Sequence, residues 1–329
     1  MRAVRVGLFL DMRNPPGWRR GWSEHYESSL ERLAAAEQLG LGSVWLTEHH
    51  SFEDGYLPQP LTLAAAIAQR TSSARIGTAI LQAPLRPAID IAEQAALVDI
   101  LSGGRLELGL GAGYRVPEWE AFGVDGASRY LLLEQRAAEI ARLWEGGVAT
   151  PPPVQSPVPI WIGGEGSRGA RIAGRRGAGL LALKPELLPV YREALEQAGH
   201  PPGAAAMAGC VNLILADDPE AAWARIEPYL DYQWNSYARY AAEGTPETPQ
   251  AIDTALLRTS GRPMLPRFDV VSPADAESRI REWLDGLPVP HVYFWDSIAG
   301  MPEDLSWRHV ELLLSELAPR LEGVGIASG

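Results

Sequence analysis

The chain has 329 residues, of which 46% are hydrophobic and 21% are charged, a composition typical of one large globular domain or two small ones. Its formal net charge of -12 argues against binding to nucleic acid or to an anionic membrane surface, because both depend on Lys and Arg. The single cysteine, Cys210, cannot form an internal disulfide bond, so we expect a cytoplasmic protein.

Strand and helix patterns alternate from the first residues onward. The apolar run before Asp11 is too short for a signal peptide, and no segment has the ~20 apolar residues of a membrane span. The predicted strands are Val4–Leu10, Ser43–Thr47, Arg75–Leu81, Leu106–Leu110, Pro159–Ile162, Gly179–Leu183, Ala208–Leu215 and His291–Trp295. Eight strands alternating with helices favour a (β/α)8 TIM barrel, so residues 1–329 are predicted to form a single α/β domain.

The alternative to a barrel is a doubly wound sheet. That fold has fewer strands and a phosphate-binding loop after the first strand, where this chain has Asp11–Pro16. Within the barrel prediction, Ser23 is the expected N-cap of the first helix.

One long segment interrupts the alternation. Residues Glu243–Pro273, between the seventh and eighth predicted strands, are rich in proline and lack a helical or strand period. Insertions of this length are typically lids or functionless surface excursions, and we expect a lid over the active face.

The second strand is followed by ionisable residues. Glu48, His49 and His50 come directly after Trp45-Leu46-Thr47, where side chains of a barrel project into the mouth. A histidine can move a proton near neutral pH, and a neighbouring carboxylate can orient it. Adjacent histidines after a strand point in different directions, so a proton-transfer role for at least one is favoured over a shared metal ion or a purely structural hydrogen bond.

The fourth strand ends in alternating glycines. Gly109, Gly111 and Gly113 precede Tyr114 and Arg115, and glycines of this kind let a flat ligand or a phosphate approach the backbone. The same pattern also occurs in ordinary tight turns.

The fifth strand continues through glycines into a helix. Residues Gly163, Gly164, Glu165, Gly166, Ser167 and Arg168 lie at this junction, where unpaired N–H groups at a helix start bind anions. Gly164, Gly166 and Gly169 match the spacing of a dinucleotide fingerprint. However, Lys184 follows the next strand where that motif requires an acidic residue, so a mononucleotide phosphate fits better.

Aromatic residues are candidates for the walls of the site. Trp295 ends the eighth strand, where it is predicted either to wall a planar cofactor or to pack in the core. Five further aromatic residues are candidates for an apolar substrate pocket or for packing: Trp18, Trp22, Tyr56, Trp119 and Trp234.

Six segments occur in the order found in one enzyme family: Thr47-Glu48-His49-His50, Ile76-Gly77-Thr78-Ala79-Ile80, Glu93-Gln94-Ala95 through Gly109, Gly113-Tyr114-Arg115 to Val124, Trp161-Ile162-Gly163-Gly164 and Gly300-Met301-Pro302. The most specific part is Asp99-Ile100-Leu101-Ser102-Gly103-Gly104-Arg105, within the third segment. From Val4 to about Leu321 the chain resembles the bacterial-luciferase-like flavin oxidoreductases. The resemblance implies a TIM barrel that uses reduced flavin mononucleotide (FMN) and molecular oxygen to oxidise a small organic substrate.

The resemblance also assigns roles to residues. His49 corresponds to the family's catalytic histidine, the Ala79–Ile80 bond to a non-proline cis peptide beneath the flavin ring, and Gly166 and Ser167 to its phosphate site. Gly111 replaces luciferase's reactive cysteine, which argues against light emission. Ala112 replaces a phosphate-binding arginine, so the alternatives are that Arg115 or Arg168 substitutes for it or that the cofactor binds in a different position.

Partners follow from the same resemblance. A separate NAD(P)H:flavin reductase is expected to supply reduced flavin, since the chain has no nicotinamide-binding domain of its own. A homodimer through the small-residue segment Leu61–Ala68 is expected, although an ordinary barrel helix would have the same composition. The alternatives are a deazaflavin-dependent dehydrogenase of the same fold, which transfers a hydride, and a non-catalytic flavin-binding protein.

Overall fold

The computed structural model describes residues 4–259 and 267–321. Its strands are β1 (Arg5–Leu10), β2 (Ser43–Leu46), β3 (Arg75–Thr78), β4 (Leu81–Gln82), β5 (Leu106–Gly111), β6 (Ile160–Gly163), β7 (Gly179–Leu181), β8 (Met207–Val211), β9 (Leu213–Leu215), β10 (Asp269–Val271) and β11 (His291–Trp295). Its α-helices are α1 (Trp22–Gln38), α2 (Pro60–Arg70), α3 (Ala88–Ser102), α4 (Val116–Ala121), α5 (Arg129–Glu145), α6 (Ser167–Arg176), α7 (Leu188–Gln197), α8 (Pro219–Ala242), α9 (Pro273–Leu284), α10 (Glu303–Leu312) and α11 (Ala318–Arg320).

The main sheet closes into a parallel barrel. Its strands follow the order β3-β2-β1-β11-β8-β7-β6-β5-β4, and β3 also pairs with β5, so that the sheet has no open edge. The predicted TIM barrel is therefore confirmed. No helix among the described residues combines the length and apolar character that crossing a membrane requires.

Two of the predicted strands are each divided. The third is interrupted after Thr78 and resumes at Leu81. The seventh ends at Val211, and its continuation β9 pairs with β10 in a separate two-stranded parallel sheet. The prediction of a single strand at each of these two places was wrong, because the chain changes direction before the apolar run ends.

Glycines make room for the side chains that fill the barrel. A Cβ atom at Gly77 would lie 2.4 Å from Cε3 of Trp45, and one at Gly179 would lie 2.2 Å from Cε3 of Trp161. The two indoles meet edge to face, with 5.9 Å between their ring centroids. The barrel centre is thus a packed core, which leaves ligands only its two ends.

The structure also differs from the predicted start of the first helix and adds detail to the predicted lid. Helix α1 begins at Trp22 with Gly21 as its N-cap, so the prediction of Ser23 as N-cap was wrong. Before the predicted lid, α8 runs for 24 residues across the C-terminal end of the barrel. Within Glu243–Pro273 the structure contains a 3-10 turn, Thr254–Arg258, and strand β10, while residues 260–266 of the predicted lid lie outside the described residues.

Candidate active site at the barrel mouth

His49 lies just beyond the end of β2, buried between two hydrogen-bond partners. Its Nδ1 is 2.9 Å from Oε1 of Glu118, which is in α4, and its Nε2 is 3.1 Å from the hydroxyl of Tyr114. The imidazole also stacks on Phe52, with 5.0 Å between centroids. A carboxylate accepts only, so Nδ1 donates to Glu118, and Nε2 is the ring nitrogen that faces the Tyr114 hydroxyl.

Glu118 is held as a carboxylate. Burial raises its pKa, but hydrogen bonds from His49, from the backbone N–H of His50 and from the Gln82 amide lower the pKa to about 2. A permanently ionised acceptor fixes both the tautomer and the orientation of the His49 ring.

Glu48 belongs to a second buried group beside the first. Its Oε1 lies 2.6 Å from the Arg86 guanidinium and 2.8 Å from Nε2 of His50, and its Oε2 accepts from the backbone N–H of Gln82. Glu48 was predicted to bind the cofactor. In the structure its carboxylate is engaged by protein groups and positions the residues around His49.

Arg115 lies in the same network. It is buried, donates to the carbonyl of His50, lies 3.4 Å from Glu118, and pairs with Glu243, which follows the last turn of α8. Its contacts are therefore made at the His49 end of the site and with α8, at a different place from the start of α6 where the phosphate is predicted.

An apolar floor lies at the ends of the third, fourth and fifth barrel strands. The Ala79–Ile80 peptide bond is cis, as the resemblance implied, and both residues are partly exposed. A Cβ atom at Gly111 would lie 2.5 Å from Ile80 Cδ1, and one at Gly163 would lie 2.4 Å from Ile80 Cγ2. Because larger residues at these two positions would collide with Ile80, the glycines allow its side chain to lie there, and together they form an apolar surface at the mouth.

Gly113 and Tyr114 form the rim of this floor. Gly113 has φ of 69°, and a Cβ atom there would lie 2.1 Å from Oε1 of Gln82. The backbone turn at Gly113 places the half-exposed ring of Tyr114 over His49, edge to face at 5.1 Å. Glycine is required at this position on both counts.

The start of α6 has the features of an anion site. Gly166 is the N-cap, and a Cβ atom there would meet nothing within 4 Å. The first hydrogen bond of the turn runs from Ala170 N–H to Gly166 C=O, so the N–H groups of Ser167, Arg168 and Gly169 precede it. Close packing of Gly164 against Gly169, where a Cβ would come within 2.7 Å of Cα, explains two glycines of the fingerprint spacing.

Three further side chains predicted to bind the cofactor, two beside the start of α6 and one across the mouth, have partners within the protein. The exposed Arg168 guanidinium stacks on Tyr130, 4.4 Å from its centroid. Glu165 is bound by Lys184, with 2.6 Å between Nζ and Oε2. Trp295, on the far side of the mouth, packs on Phe9 and donates to Asn212 Oδ1 at 2.9 Å, within an apolar cluster under α8.

Sequence reasoning missed the acids and amides that organise His49. Glu118, Gln82 and Arg86 were not singled out, and neither was a second buried cluster of Asp11, Arg13 and Asp54. The available signal was the Pro117-Glu118 pair at the start of a short helix, because acidic residues favour the first helical turn. Glu118 and His49 are 69 positions apart in the sequence, so their hydrogen bond could not be predicted from residue spacing.

Asp11 provides a test of the second cluster. Burial raises its pKa from 3.8 to about 7, against the lowering effect of Arg13 and a hydrogen bond from Gln233. Because burial favours the neutral Asp11 carboxyl, its contribution to the free energy of unfolding is fully present below pH ~4. This contribution is lost as the pH rises towards 7. Asp11→Asn should therefore remove a loss of up to about 4 kcal/mol across this interval.

The measurement is urea unfolding of wild type and variant at pH 5 and pH 8. We expect Asp11→Asn to be the more stable protein at pH 8 and to lose less stability between the two pH values. If the difference in unfolding free energy between wild type and variant were the same at both pH values, the raised pKa of Asp11 would be contradicted.

Comparison with known proteins gives a consistent family and two kinds of chemistry. The model of the luciferase-like monooxygenases matches residues 4–277. The oxygenase component of the flavin-dependent trigonelline monooxygenase of Acinetobacter baylyi is 29% identical over 175 residues, 48% of each chain. The F420-dependent glucose-6-phosphate dehydrogenase of Mycolicibacterium gilvum is 25% identical over 327 residues, 90% of this chain and 94% of the relative.

Among solved structures, the oxygenating constituent of 3,6-diketocamphane monooxygenase of Pseudomonas putida, in complex with FMN, has a TM-score of 0.75 at 19% identity. The match covers 97% of this chain and 98% of that one. Such a likeness supports the fold. The chain spans only about a third to a half of the length of the first curated relatives that it matches. The family match over most of its length nevertheless shows that this chain belongs to the luciferase-like monooxygenase family.

Proposed function

We propose that this protein is a flavin-dependent monooxygenase that uses reduced FMN and oxygen to oxidise a small organic substrate. The observation that carries the proposal is the placement of His49, held by Glu118, at the same barrel mouth as the apolar floor and the N-terminus of α6. The relatedness to a flavin-dependent oxygenase component supports the same reading.

The residues present fit a flavin. The floor of Ala79, Ile80, Gly111 and Gly163 is apolar, as the ring system requires, and Cβ atoms at the two glycines would displace the Ile80 side chain from it. The first turn of α6, with Gly166 and Ser167, would hold the phosphate, and Arg168 adds positive charge there. When bound, the flavin would supply the electrons for oxygen chemistry.

The protein's own groups would handle protons and water. Nε2 of His49 is a base within reach of the Tyr114 hydroxyl, and Glu118 stabilises the ring when Nε2 accepts a proton. Helix α8 covers the mouth through Arg115–Glu243 and the stacked rings of Phe52 and Tyr240, 3.7 Å apart. Covering the site excludes water that would compete with the substrate.

A second candidate is a deazaflavin-dependent dehydrogenase. It is favoured by the match to an F420-dependent dehydrogenase, which extends over 90% of this chain, while the match to the oxygenase component covers 48%. In this reading the same floor carries the deazaflavin ring, and His49 handles the proton of the alcohol that loses a hydride.

Anaerobic titration followed by an oxygen pulse separates the two. A monooxygenase binds reduced FMN and consumes oxygen in a substrate-dependent manner, whereas a deazaflavin dehydrogenase binds F420 and is indifferent to oxygen. Absence of affinity for FMN, reduced FMN and F420 alike would contradict both readings and favour a different role.

We also propose two partners. A separate NAD(P)H:flavin reductase would deliver reduced flavin, in line with the relative that is named as an oxygenase component. The predicted dimer segment Leu61–Ala68 lies in α2, where most of its side chains are buried. We therefore propose that a second copy would cover the neighbouring helix α3, whose outer face exposes Ile89, Leu97, Ile100 and Leu101. Apolar groups on one outer face mark an association surface. We propose further that all 329 residues belong to one domain, with the segment after α8 acting as a lid.

The dimer proposal predicts the effect of a single charge. Leu97 is 48% exposed in the middle of the α3 face, so Leu97→Asp should convert a dimer to a monomer in light scattering, because a buried charge opposes association. Leu131→Asp, at a 57% exposed position on α5, is the matched control and should leave the mass unchanged. A monomeric wild type, or a dimer that tolerates Leu97→Asp, would contradict the proposed surface.

A further inference from the structure

Four buried polar atoms, three on α8 and one in the loop after β1, have no hydrogen-bond partner among the described residues. They are Nη1 of Arg13, the hydroxyl of Tyr232, Oε1 of Gln233 and Nε1 of Trp234. Buried polar atoms are almost always hydrogen-bonded, because leaving one unpaired costs about 1–3 kcal/mol. Two of them, Nη1 of Arg13 and Oε1 of Gln233, belong to one cluster linked through Asp11, and they are the pair that a further molecule could complete.

Arg13 is the centre of this cluster. Its side chain is fully buried, its Nε lies 2.7 Å from Oδ2 of Asp54, and its Nη2 donates to Ser236 of α8. Four aromatic rings surround the guanidinium, with centroids 5.1–5.8 Å from Cζ: Phe52, Tyr56, Tyr232 and Tyr237. Every part of the group is thus engaged except Nη1.

Gln233 is the matching acceptor. It projects from α8 towards the end of β1, where its amide nitrogen lies 3.2 Å from Oδ2 of Asp11. Its Oε1 is buried and unpaired among the described residues. Arg13 and Asp11 are linked by the hydrogen bond from Arg13 N–H to Asp11 Oδ1, so the free donor and the free acceptor belong to one cluster.

The cluster is close enough to His49 to orient a substrate. Phe52 and Tyr56 both contact the Arg13 guanidinium, and both contact the His49 ring, at 5.0 and 4.8 Å between centroids. A molecule anchored at Arg13 and packed along these rings would present its remaining atoms to the base and to the apolar floor.

The charges decide which group the cluster accepts. Asp54 already neutralises Arg13, and burial raises the pKa of Asp11 to about 7, so that a further negative charge there is unfavourable. A substrate carboxylate would add such a charge inside a buried site, which is costly without a second cation. A substrate cation would compete with Arg13 for the aromatic rings. A neutral group with one acceptor and one donor meets neither obstacle.

We propose that Arg13 and Gln233 are specificity-determining residues that recognise a neutral cyclic substrate bearing a carbonyl group next to an N–H or O–H. Arg13 Nη1 donates to the carbonyl oxygen and Gln233 Oε1 accepts from the neighbouring N–H or O–H, as in a carboxamide, lactam or hydroxyketone. The inference rests on the proposed function for the reaction that follows, but it concerns binding alone.

The test compares three probes of one shape on the flavin-loaded full chain by titration calorimetry: benzamide, benzoate and benzylamine. Benzamide should bind at least tenfold more tightly than either charged probe. Tighter binding of benzoate or benzylamine, or no binding of benzamide, would overturn the proposal.

Variants assign the preference to the two residues. Gln233→Leu keeps the volume and removes the acceptor, and Arg13→Lys keeps the charge beside Asp54 and removes Nη1. Each should weaken benzamide binding about tenfold, the usual worth of one buried hydrogen bond, and leave flavin affinity unchanged. Gln197→Leu, the same change on the exposed face of α7, is the control.

Flavin binding tests the proposed function, and the effect of Gln233→Leu on benzamide binding tests the recognition pair. The wild-type flavin titration is read first, and failure to bind any flavin contradicts the proposed function. A flavin-bound chain whose benzamide affinity is unaffected by Gln233→Leu contradicts the recognition pair alone. If Arg13→Lys does not fold, Gln233→Leu carries the test.

Discussion

His49→Ala is expected to lower substrate-dependent turnover by about 10²–10⁴-fold, the usual contribution of a positioned acid or base, while flavin affinity stays within a few-fold of wild type. The physical reason is the separation of roles in the structure. The imidazole contacts Glu118 and Tyr114, whereas the proposed flavin contacts are the floor around Ile80 and the start of α6. Stopped-flow kinetics and flavin fluorescence titration measure the two quantities.

Glu118 extends the prediction to a positioning residue. Glu118→Gln keeps the shape and a hydrogen bond to His49, but it removes the fixed negative charge, so turnover should fall less than in His49→Ala and KM should change little. In the double variant the second change should cost almost nothing more, because Glu118 acts through His49. His200→Ala, at a partly exposed position after the end of α7, serves as the control.

Two results would contradict this assignment. Independent, multiplying losses for the two changes would mean that Glu118 acts on the substrate directly. Loss of flavin binding in His49→Ala would mean that the imidazole supports the cofactor and that the proton is handled elsewhere, for example by Tyr114.

The barrel could be predicted from the sequence because its signals are local. Apolar runs of the right length, separated by helical patterns, gave all eight barrel positions, and the final strand His291–Trp295 has the predicted bounds. What the patterns could not give was the change of direction inside an apolar run. Nothing in Ala208–Leu215 distinguishes the residues of β8 from those of β9, which pair with different sheets.

The site was predictable in its glycines and its histidine, and not in the groups that orient them. Gly111, Gly113 and Gly163 stand out because strands seldom contain them, and each has a defined clash in the structure. Glu118, Arg13 and Gln233 have no such signal. Their roles depend on contacts with residues 69, 41 and 222 positions away, which only the fold brings together.

The most family-specific segment illustrates the limit of resemblance. Asp99–Arg105 carries much of the likeness, yet its contacts are structural. Asp99 accepts from the backbone and side-chain amides of Gln155 at 2.8 and 2.7 Å, which fixes the proline-rich connection before β6. Gly103 takes the left-handed conformation, φ 65°, that ends α3. A motif typical of a family therefore need not contact the ligand that the family binds.

Arg105 gives the largest stability effect that we expect. Its buried guanidinium donates five hydrogen bonds that tie the C-terminal ends of α2 and α3 to the turn before β3, at Ala68 O, Thr71 O, Thr71 Oγ1, Ala74 O and Ser102 O. Positive charge at helix C-termini is favourable, and a planar fork of donors matches several carbonyls at once. Arg105→Met would leave these acceptors buried without donors, at a cost on the order of 5 kcal/mol.

Urea unfolding at constant m-value measures that loss, and Arg105→Lys should lose about half as much, because an ammonium keeps the charge and reaches fewer acceptors. Arg142→Met, at an exposed position on α5, is the matched control and should change stability by less than about 0.5 kcal/mol. Equal stabilities for Arg105→Met and Arg142→Met would show that water replaces the guanidinium, and that the segment is held by Asp99 and Gly103 instead.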